Sequence, residues 1–267
     1  MTVPSDNFYV IKKVRHNIFG YETDIWYYDE KGEPLHSENR AFHTVRTYDV
    51  KGNILTESYY SDENENEPIE SVDNGENKGD ALRIAGRFHK VIRKYDAFGH
   101  VTERWLYGID GNLIQREDRG CHIVSTCNSL GKVTSIETYD AEGKPFFNVH
   151  IGAFKQVFAY DSYGNKSDIW YFGVDGLPCQ CIYNGEAREH HMKHSFDFMG
   201  KLLSEELFDT EDKPYSLKDR THKVVFSYNS YGLRTEEAQY DAKQHLLRKA
   251  LYTYDSYGNK TGEEWVE

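Results

Sequence analysis

The sequence predicts an all-β protein built from tandem β-hairpins, and two observations lead to this fold class. An aromatic residue, an aspartate or asparagine, two variable residues and a glycine recur eight times along the 267 residues, with a few substitutions of the aromatic. The turn glycines lie 26 to 36 residues apart, except for one gap of 47, and such a period is typical of repeat arrays. The segments that follow them are rich in β-branched and aromatic residues, as strands are. The turn glycines are Gly20, Gly52, Gly99, Gly131, Gly164, Gly200, Gly232 and Gly258.

The turn is specified by the residue three positions before each glycine, which is always aspartate or asparagine. A short side-chain oxygen there accepts a hydrogen bond from a backbone N–H two residues further on. The glycine adopts positive φ without a Cβ clash, so the pattern predicts a type I turn closed by a left-handed residue. We expect these residues to shape turns and not to bind metal. They are Asn17, Asp49, Asp96, Asn128, Asp161, Asp197, Asn229 and Asp255.

Two aromatic columns flank the turns. One residue stands just before the aspartate or asparagine and the other eight positions after the glycine, as Tyr160 and Phe172 do around Gly164. In stacked repeats, each ring is expected to rest on its counterpart in the next unit and to form the core. An aromatic content of 15% and a mean hydropathy of −0.77 suit a thin array whose units are buried only by their neighbours.

A second turn rich in aspartate and glycine usually follows the second aromatic residue, as in the segment from Asp140 to Pro145. The unit of about 32 residues therefore consists of strand, tight turn, strand, turn and short strand. We predict that these units stack into an elongated twisted sheet or β-solenoid. The alternative is a closed β-propeller, in which the final half repeat completes the first.

The repeat continues without a linker, so the sequence predicts a single domain over residues 1–267. Residues 61–80 are acidic and lack aromatic residues. This composition is typical of a disordered surface loop, and we predict one there.

The charge pattern and the composition exclude several classes of function. The formal net charge is −12 and the basic residues are scattered, which argues against a nucleic-acid partner. No stretch approaches the roughly 20 apolar residues that cross a bilayer, so no membrane insertion is expected. The start of the chain shows no secretory signal, and four cysteines do not make a disulfide framework. The sequence indicates a cytoplasmic protein, or an extracellular one if the chain is part of a larger exported protein.

One group of residues resembles a zinc site, because thiolate and imidazole are the ligands that zinc prefers. The group consists of Cys179, Cys181, His190, His191 and His194. If residues 190–194 form a strand, His190 and His194 lie about 13 Å apart, too far to bind one ion. We therefore expect no metal and no cofactor. The chain also shows no carboxylate dyad and no phosphate-binding loop, and we expect no enzyme activity.

Three tryptophans are candidate binding residues. Trp26, Trp105 and Trp170 share the position six residues after the turn glycine, where other copies have residues such as Glu137. A column that tolerates glutamate is expected to be partly exposed, so the indoles could stack on sugars or on a protein partner. The alternative is that they pack against the links between repeats.

The turn motif resembles that of YD-repeat proteins of the Rhs type, as in the segments Tyr95–Gly99, Tyr160–Asn165 and Tyr254–Asn259. The longer segment Tyr171–Pro178 is similar to bacterial tandem hairpin arrays. The resemblance implies β-strand shells that encapsulate toxin domains or bind carbohydrate at surfaces.

Recurring structural residues without a recurring reactive group favour a non-enzymatic binding or scaffold module with protein partners. One alternative is a carbohydrate-binding or cell-surface module that uses the three tryptophans. Another is an Rhs-like shell or a toxin-associated fragment.

Overall fold

The computed structural model describes residues 11–35, 41–62, 65, 67–69, 88–114, 118, 120–183 and 185–266. The regular elements within these ranges are all β-strands, which confirms the predicted all-β class. The first eight strands are β1 (Ile11–His16), β2 (Glu22–Tyr28), β3 (His43–Tyr48), β4 (Ile54–Tyr60), β5 (Lys90–Tyr95), β6 (Val101–Tyr107), β7 (His122–Cys127) and β8 (Val133–Tyr139). The others are β9 (Lys155–Tyr160), β10 (Lys166–Phe172), β11 (Ile182–Tyr183), β12 (Glu186–Ala187), β13 (His191–Phe196), β14 (Leu202–Phe208), β15 (Lys223–Tyr228), β16 (Arg234–Tyr240), β17 (Leu246–Tyr254) and β18 (Lys260–Val266).

Sixteen strands form an antiparallel sheet in which the strand order follows the chain, while β11 and β12 form a small separate hairpin. This order confirms the predicted sheet of stacked hairpins. A propeller would divide the strands into separate blades of about four strands, and the sheet order shows no such division.

The chain divides into two compact units. The first consists of Met1–Val133 with Tyr139–Lys144, and the second of Thr134–Thr138 with Pro145–Glu267. Both contain the same hairpin repeat, and the prediction of one domain over residues 1–267 stays a prediction.

The first turn of every hairpin has the geometry that the sequence predicts. The side-chain oxygen of the aspartate or asparagine accepts two backbone N–H groups, from the residues two and four positions later, at 2.8 to 3.0 Å. The turn glycines have φ between 76° and 90°. At Gly52 a Cβ atom would also lie 2.6 Å from the Tyr21 hydroxyl oxygen, so both conformation and space require glycine there.

Successive hairpins are joined in two ways. Three residues at the middle of a second strand typically pair with the next hairpin, as Asp24 to Trp26 do with His43 to Val45, and β16 pairs with β17 over five residues. In addition, the hydroxyl of Tyr48 donates to the carbonyl of Glu22 at 2.6 Å. Tyr95, Tyr228 and Tyr254 make equivalent bonds to the preceding hairpin.

The expectation that each ring rests on its counterpart is wrong. Counterparts in adjacent hairpins lie two strands apart, about 9.6 Å, whereas ring pairs prefer 4.5–7 Å. Residues of the links bridge this distance instead, as His89 does where its ring meets Tyr60 at 5.2 Å. Tyr28 meets Phe42 at 5.2 Å in the same edge-on manner.

The core of the first unit combines an apolar cluster with buried charges. Its apolar part contains Ala41, Tyr59, Phe88, Val91 and Leu106. Beside it, the buried carboxylate of Glu57 accepts hydrogen bonds from Arg46 at 2.8 Å and from Arg93 at 3.0 Å. A shift of β3 or β5 relative to β4 would leave a buried charge unpaired, which is strongly destabilising. These two ion pairs therefore favour the observed alignment of β3, β4 and β5.

In the second unit, Ala153, Tyr171 and Cys181 form the corresponding apolar cluster. The predicted acidic loop 61–80 is described only at its start. There the N–H of Ser61 donates to Glu67 and the N–H of Ile69 to Tyr59. Residues 63–64, 66 and 70–80 lie outside the described ranges.

The second turn of the seventh hairpin offers a test of this turn geometry. Gln244 has φ of 66° and is exposed, at the position where most other second turns have glycine. A non-glycine residue in this conformation costs roughly 1–2 kcal/mol. We expect Gln244→Gly to raise the free energy of unfolding by about 1 kcal/mol in urea titrations, and Gln244→Ala to leave it nearly unchanged. A destabilised glycine variant would contradict the assigned turn.

Candidate interaction surfaces

Each of the three tryptophans lies opposite a histidine of the next hairpin. The register pairs Trp26 with His43, Trp105 with His122, and Trp170 with His191. The indole and imidazole rings stack at 4.7 Å in all three pairs, with interplanar angles of 15°, 8° and 19°. We call these pairs, with the carboxylates described next, the Trp–His clusters.

The carboxylate group two residues before each tryptophan contacts the imidazole of the histidine that stacks on that tryptophan. Asp24 Oδ1 lies 3.3 Å from His43 Nε2, Glu103 Oε2 lies 3.0 Å from His122 Nε2, and Asp168 Oδ1 lies 3.0 Å from His191 Nε2. The hydroxyls of Thr23 and Ser167 donate to the carboxylates and not to the imidazoles, at 2.8 and 2.7 Å. The hydroxyls are therefore not placed as nucleophiles that the histidines could activate.

In two other hairpins, glutamate and lysine occupy the positions that tryptophan and histidine have in the clusters. Glu137 faces Lys155 and Glu206 faces Lys223 in the equivalent register, with ion pairs of 2.7 and 2.8 Å. Stacked rings and ion pairs thus alternate as cross-strand contacts from the third to the sixth hairpin, whereas Ser58 faces Lys90 in the second and Ala238 faces Lys249 in the seventh. The Trp–His clusters occupy the first, third and fifth hairpins, and their repetition indicates a role in joining hairpins.

The tryptophans are partly buried, and their ring faces are largely occupied. In the first unit, the guanidinium of Arg15 lies 5.3 Å from the Trp26 ring, and the ammonium of Lys94 lies 4.6 Å from the Trp105 ring. With histidine on the opposite side, neither indole presents a free face for a sugar. At Trp170, His191 covers one face.

The three histidines among the candidate metal ligands contact different partners. His190 Nδ1 lies 3.1 Å from the carbonyl of Cys179, His191 contacts Asp168, and His194 Nε2 lies 3.1 Å from Glu205. Burial raises the pKa of the Cys181 thiol to about 12, with a further contribution from Glu189, which disfavours the thiolate that zinc requires. Over the described part of the chain, no group of three or more histidine, cysteine, aspartate or glutamate side chains suits a metal ion.

A row of exposed apolar side chains lies at the first turns. The residue just before the turn glycine is apolar or tyrosine in seven of the eight hairpins, and these side chains are between 69% and 91% exposed. In the second hairpin this position is Lys51, preceded by the fully exposed Val50. We call the seven residues the tip row: Phe19, Phe98, Leu130, Tyr163, Met199, Tyr231 and Tyr257.

The turn geometry does not require these apolar residues, as the second turns show. The carboxylates of Asp140, Asp209 and Asp241 accept the same pair of N–H bonds, from the residues two and four positions later. At the position that matches the tip row, however, six second turns have only charged residues. These are Lys31, Asp110, Glu142, Asp175, Glu211 and Lys243.

The repeat pattern does not predict the tip row, because the two residues before the glycine differ in identity from one repeat to the next. Their identities do vary, but their apolar character does not, and turns normally favour polar residues at such positions. Comparing the first turns with the second turns along the same sequence would have revealed the difference.

The described residues also include no helix that is long and apolar enough to cross a membrane.

No family model matches the sequence, and no curated protein shows significant similarity to it. Solved structures that resemble the chain include TcdB2-TccC3-TEV, with 16% identity and a TM-score of 0.44, and TcdB2-TccC3, with 14% identity and a TM-score of 0.43. Each match covers 96% of this chain, which spans only 14% of those chains. The resemblance to YD-repeat proteins and the shell or toxin-associated alternative stay predictions.

The alternation of pairs predicts that a Trp–His pair can be replaced by a Glu–Lys pair. Trp170→Glu alone should destabilise the protein by about 2 kcal/mol because ring packing is lost. Adding His191→Lys should recover about 1 kcal/mol through the new ion pair. These variants form a double-mutant cycle, which gives the coupling energy between positions 170 and 191. A control cycle combines Trp170→Glu with His194→Lys, since His194 contacts Glu205 instead. Equal coupling energies in the two cycles, measured by urea unfolding, would refute the pairing.

The turn aspartates predict a loss of stability in acid. The Asn165 amide and backbone N–H groups lower the pKa of Asp161, and those of Asn259 lower that of Asp255. A lowered folded-state pKa contributes stability above the ordinary value of about 3.9, and this is lost as the pH falls through the folded value. We expect the urea midpoint to fall less between pH 5 and pH 3 in the Asp161→Asn, Asp255→Asn variant than in the wild type.

Asparagine occupies the same turn position in three hairpins, so this variant should fold normally at pH 7. The matched control replaces two exposed acids outside that position, Glu30→Gln and Glu264→Gln. If the control variant reduced the fall of the urea midpoint by the same amount, general charge repulsion, and not the hydrogen bonds of the turn aspartates, would be the cause.

Proposed function

We propose that this chain is a non-enzymatic scaffold that binds other proteins through the tip row. The observation that carries the proposal is the contrast between its two kinds of turn. At the position that matches the tip row, first turns expose large apolar side chains and second turns have charged ones, although Ile109 and Val174 are exposed one position earlier in two second turns. Since the turn itself does not select apolar residues, their repetition supports a binding role.

The chemistry of the tip row suits a protein partner. Tyrosine, phenylalanine and methionine are enriched in protein interfaces, whose centres are depleted of charge. Each tip is held by two hydrogen bonds to one side-chain oxygen, so little conformational freedom is lost when a partner binds. The carbohydrate alternative has less support, because the indoles of Trp26 and Trp105 are covered on both faces and that of Trp170 is covered on one.

The experiment compares two matched triple variants of the full chain in cells that naturally produce it. The tip variant carries Tyr163→Ser, Tyr231→Ser and Tyr257→Ser, and the control carries Glu142→Ser, Glu211→Ser and Lys243→Ser at the second turns. Proteins cross-linked to the wild type are identified, produced in pure form and titrated against all three chains by calorimetry.

We expect the tip variant to bind an identified partner at least 10-fold more weakly, and the control to bind within twofold of the wild type. Circular dichroism should show the same β-sheet signal for all three chains. Equal affinities for the tip variant and the wild type would refute the proposal.

A further inference from the structure

The second unit has an unbroken part of the tip row. Its four hairpins that lie in the large sheet present Tyr163, Met199, Tyr231 and Tyr257 at the matched position, and Phe198 is exposed beside Met199. In the first unit the row is interrupted at Lys51, whose ammonium donates to the carbonyl of Ala97 in the next turn. The second unit therefore has the more continuous apolar edge.

The spacing of these tips favours a partner with the same spacing. Adjacent tips lie two strands apart, about 9.6 Å along the sheet, and strand twist widens this separation. A side chain inserted midway between two tips would lie about 5 to 7 Å from each, within the 4.5–7 Å that ring pairs prefer. A second copy of this chain carries side chains of this kind at the same intervals.

The distribution of charge also favours contact at this edge between two copies. Each copy has a formal net charge of −12, so copies repel one another over most of their surfaces. The four tip side chains are uncharged, whereas the second turns of the same unit expose Asp175, Glu211 and Lys243. Apolar contact at the first turns therefore brings uncharged side chains together, although Asp161, Asp197 and Asp255 lie in the same turns.

We infer that the tip row of the second unit binds the tip row of a second copy in an isologous dimer, with the two rows interdigitated. This inference rests on the proposed function and names the partner of that site. The same patch on both copies satisfies the self-complementarity that a two-fold dimer needs. One aromatic side chain buries roughly 150–250 Å², so the tyrosine tips and Met199 of the two copies together bury roughly 1,200 Å² or more. That is the low end of specific interfaces, so we expect a weak dimer that forms at high protein concentration.

The test is sedimentation equilibrium of the full chain between 1 and 300 µM. The wild-type mass should rise from 31.2 kDa towards twice that value, with half of the chains dimeric at tens of micromolar. The tip variant defined above, with Tyr163→Ser, Tyr231→Ser and Tyr257→Ser, should dissociate at least 10-fold more readily. The matched control with Glu142→Ser, Glu211→Ser and Lys243→Ser should stay within twofold of the wild type, and thermal unfolding should confirm that all three chains fold.

Salt provides a second readout. Raising NaCl from 0.05 to 0.5 M screens the repulsion between like charges and should tighten an apolar dimer, whereas it would weaken a dimer held by charged second turns. A wild type that stays monomeric at 300 µM, or a control that dissociates as readily as the tip variant, overturns the inference. If the wild type is monomeric but the tip variant loses a different protein partner, the proposed function stands and the second copy is rejected.

Discussion

At each first turn, one oxygen of an aspartate or asparagine accepts two backbone N–H groups, and a glycine with positive φ closes the loop. This small constraint determines the register of the hairpin, and the register determines the face on which every later side chain lies. A shift of one residue would place Trp26 on the opposite face from His43, and the same shift would separate Glu57 from Arg46. The ring stacks and the buried ion pair therefore depend on the turns, although neither contacts a turn directly.

Much of the local structure could be predicted from the sequence, because the turns are specified within five consecutive residues. The aspartate or asparagine, the glycine and the strand that follows need no information from distant residues. The contacts between hairpins, in contrast, join residues that are distant in the sequence. Trp26 and His43 are 17 residues apart in the sequence, and the link between such partners varies in length from one repeat to the next. A fixed spacing therefore does not reveal the pair, whereas the register between adjacent strands does.

The candidate zinc ligands illustrate the same limit, since residues that are close in the sequence contact different partners here. Strand β13 turns successive side chains to opposite faces, so His191 reaches Asp168 while His194 reaches Glu205. His190 precedes the strand and contacts the backbone at Cys179. The tryptophans were correctly identified as a repeated feature, but the sequence did not show that a histidine covers one face of each indole. Rings that pair across strands leave little surface for a ligand.

The residues of the strands, from their first to their last positions, thus contribute mainly to joining one hairpin to the next. Stacked rings, ion pairs and tyrosine hydroxyls that donate to the preceding hairpin together occupy these positions in both units. The residues at the turns contribute little to those contacts, because the turn is held by its own backbone and one side chain. Their remaining side chains can vary without disturbing the sheet, so binding residues can be placed there at low cost in stability. A constant apolar character at positions free to vary is therefore better explained by what the first turns bind than by how the sheet folds.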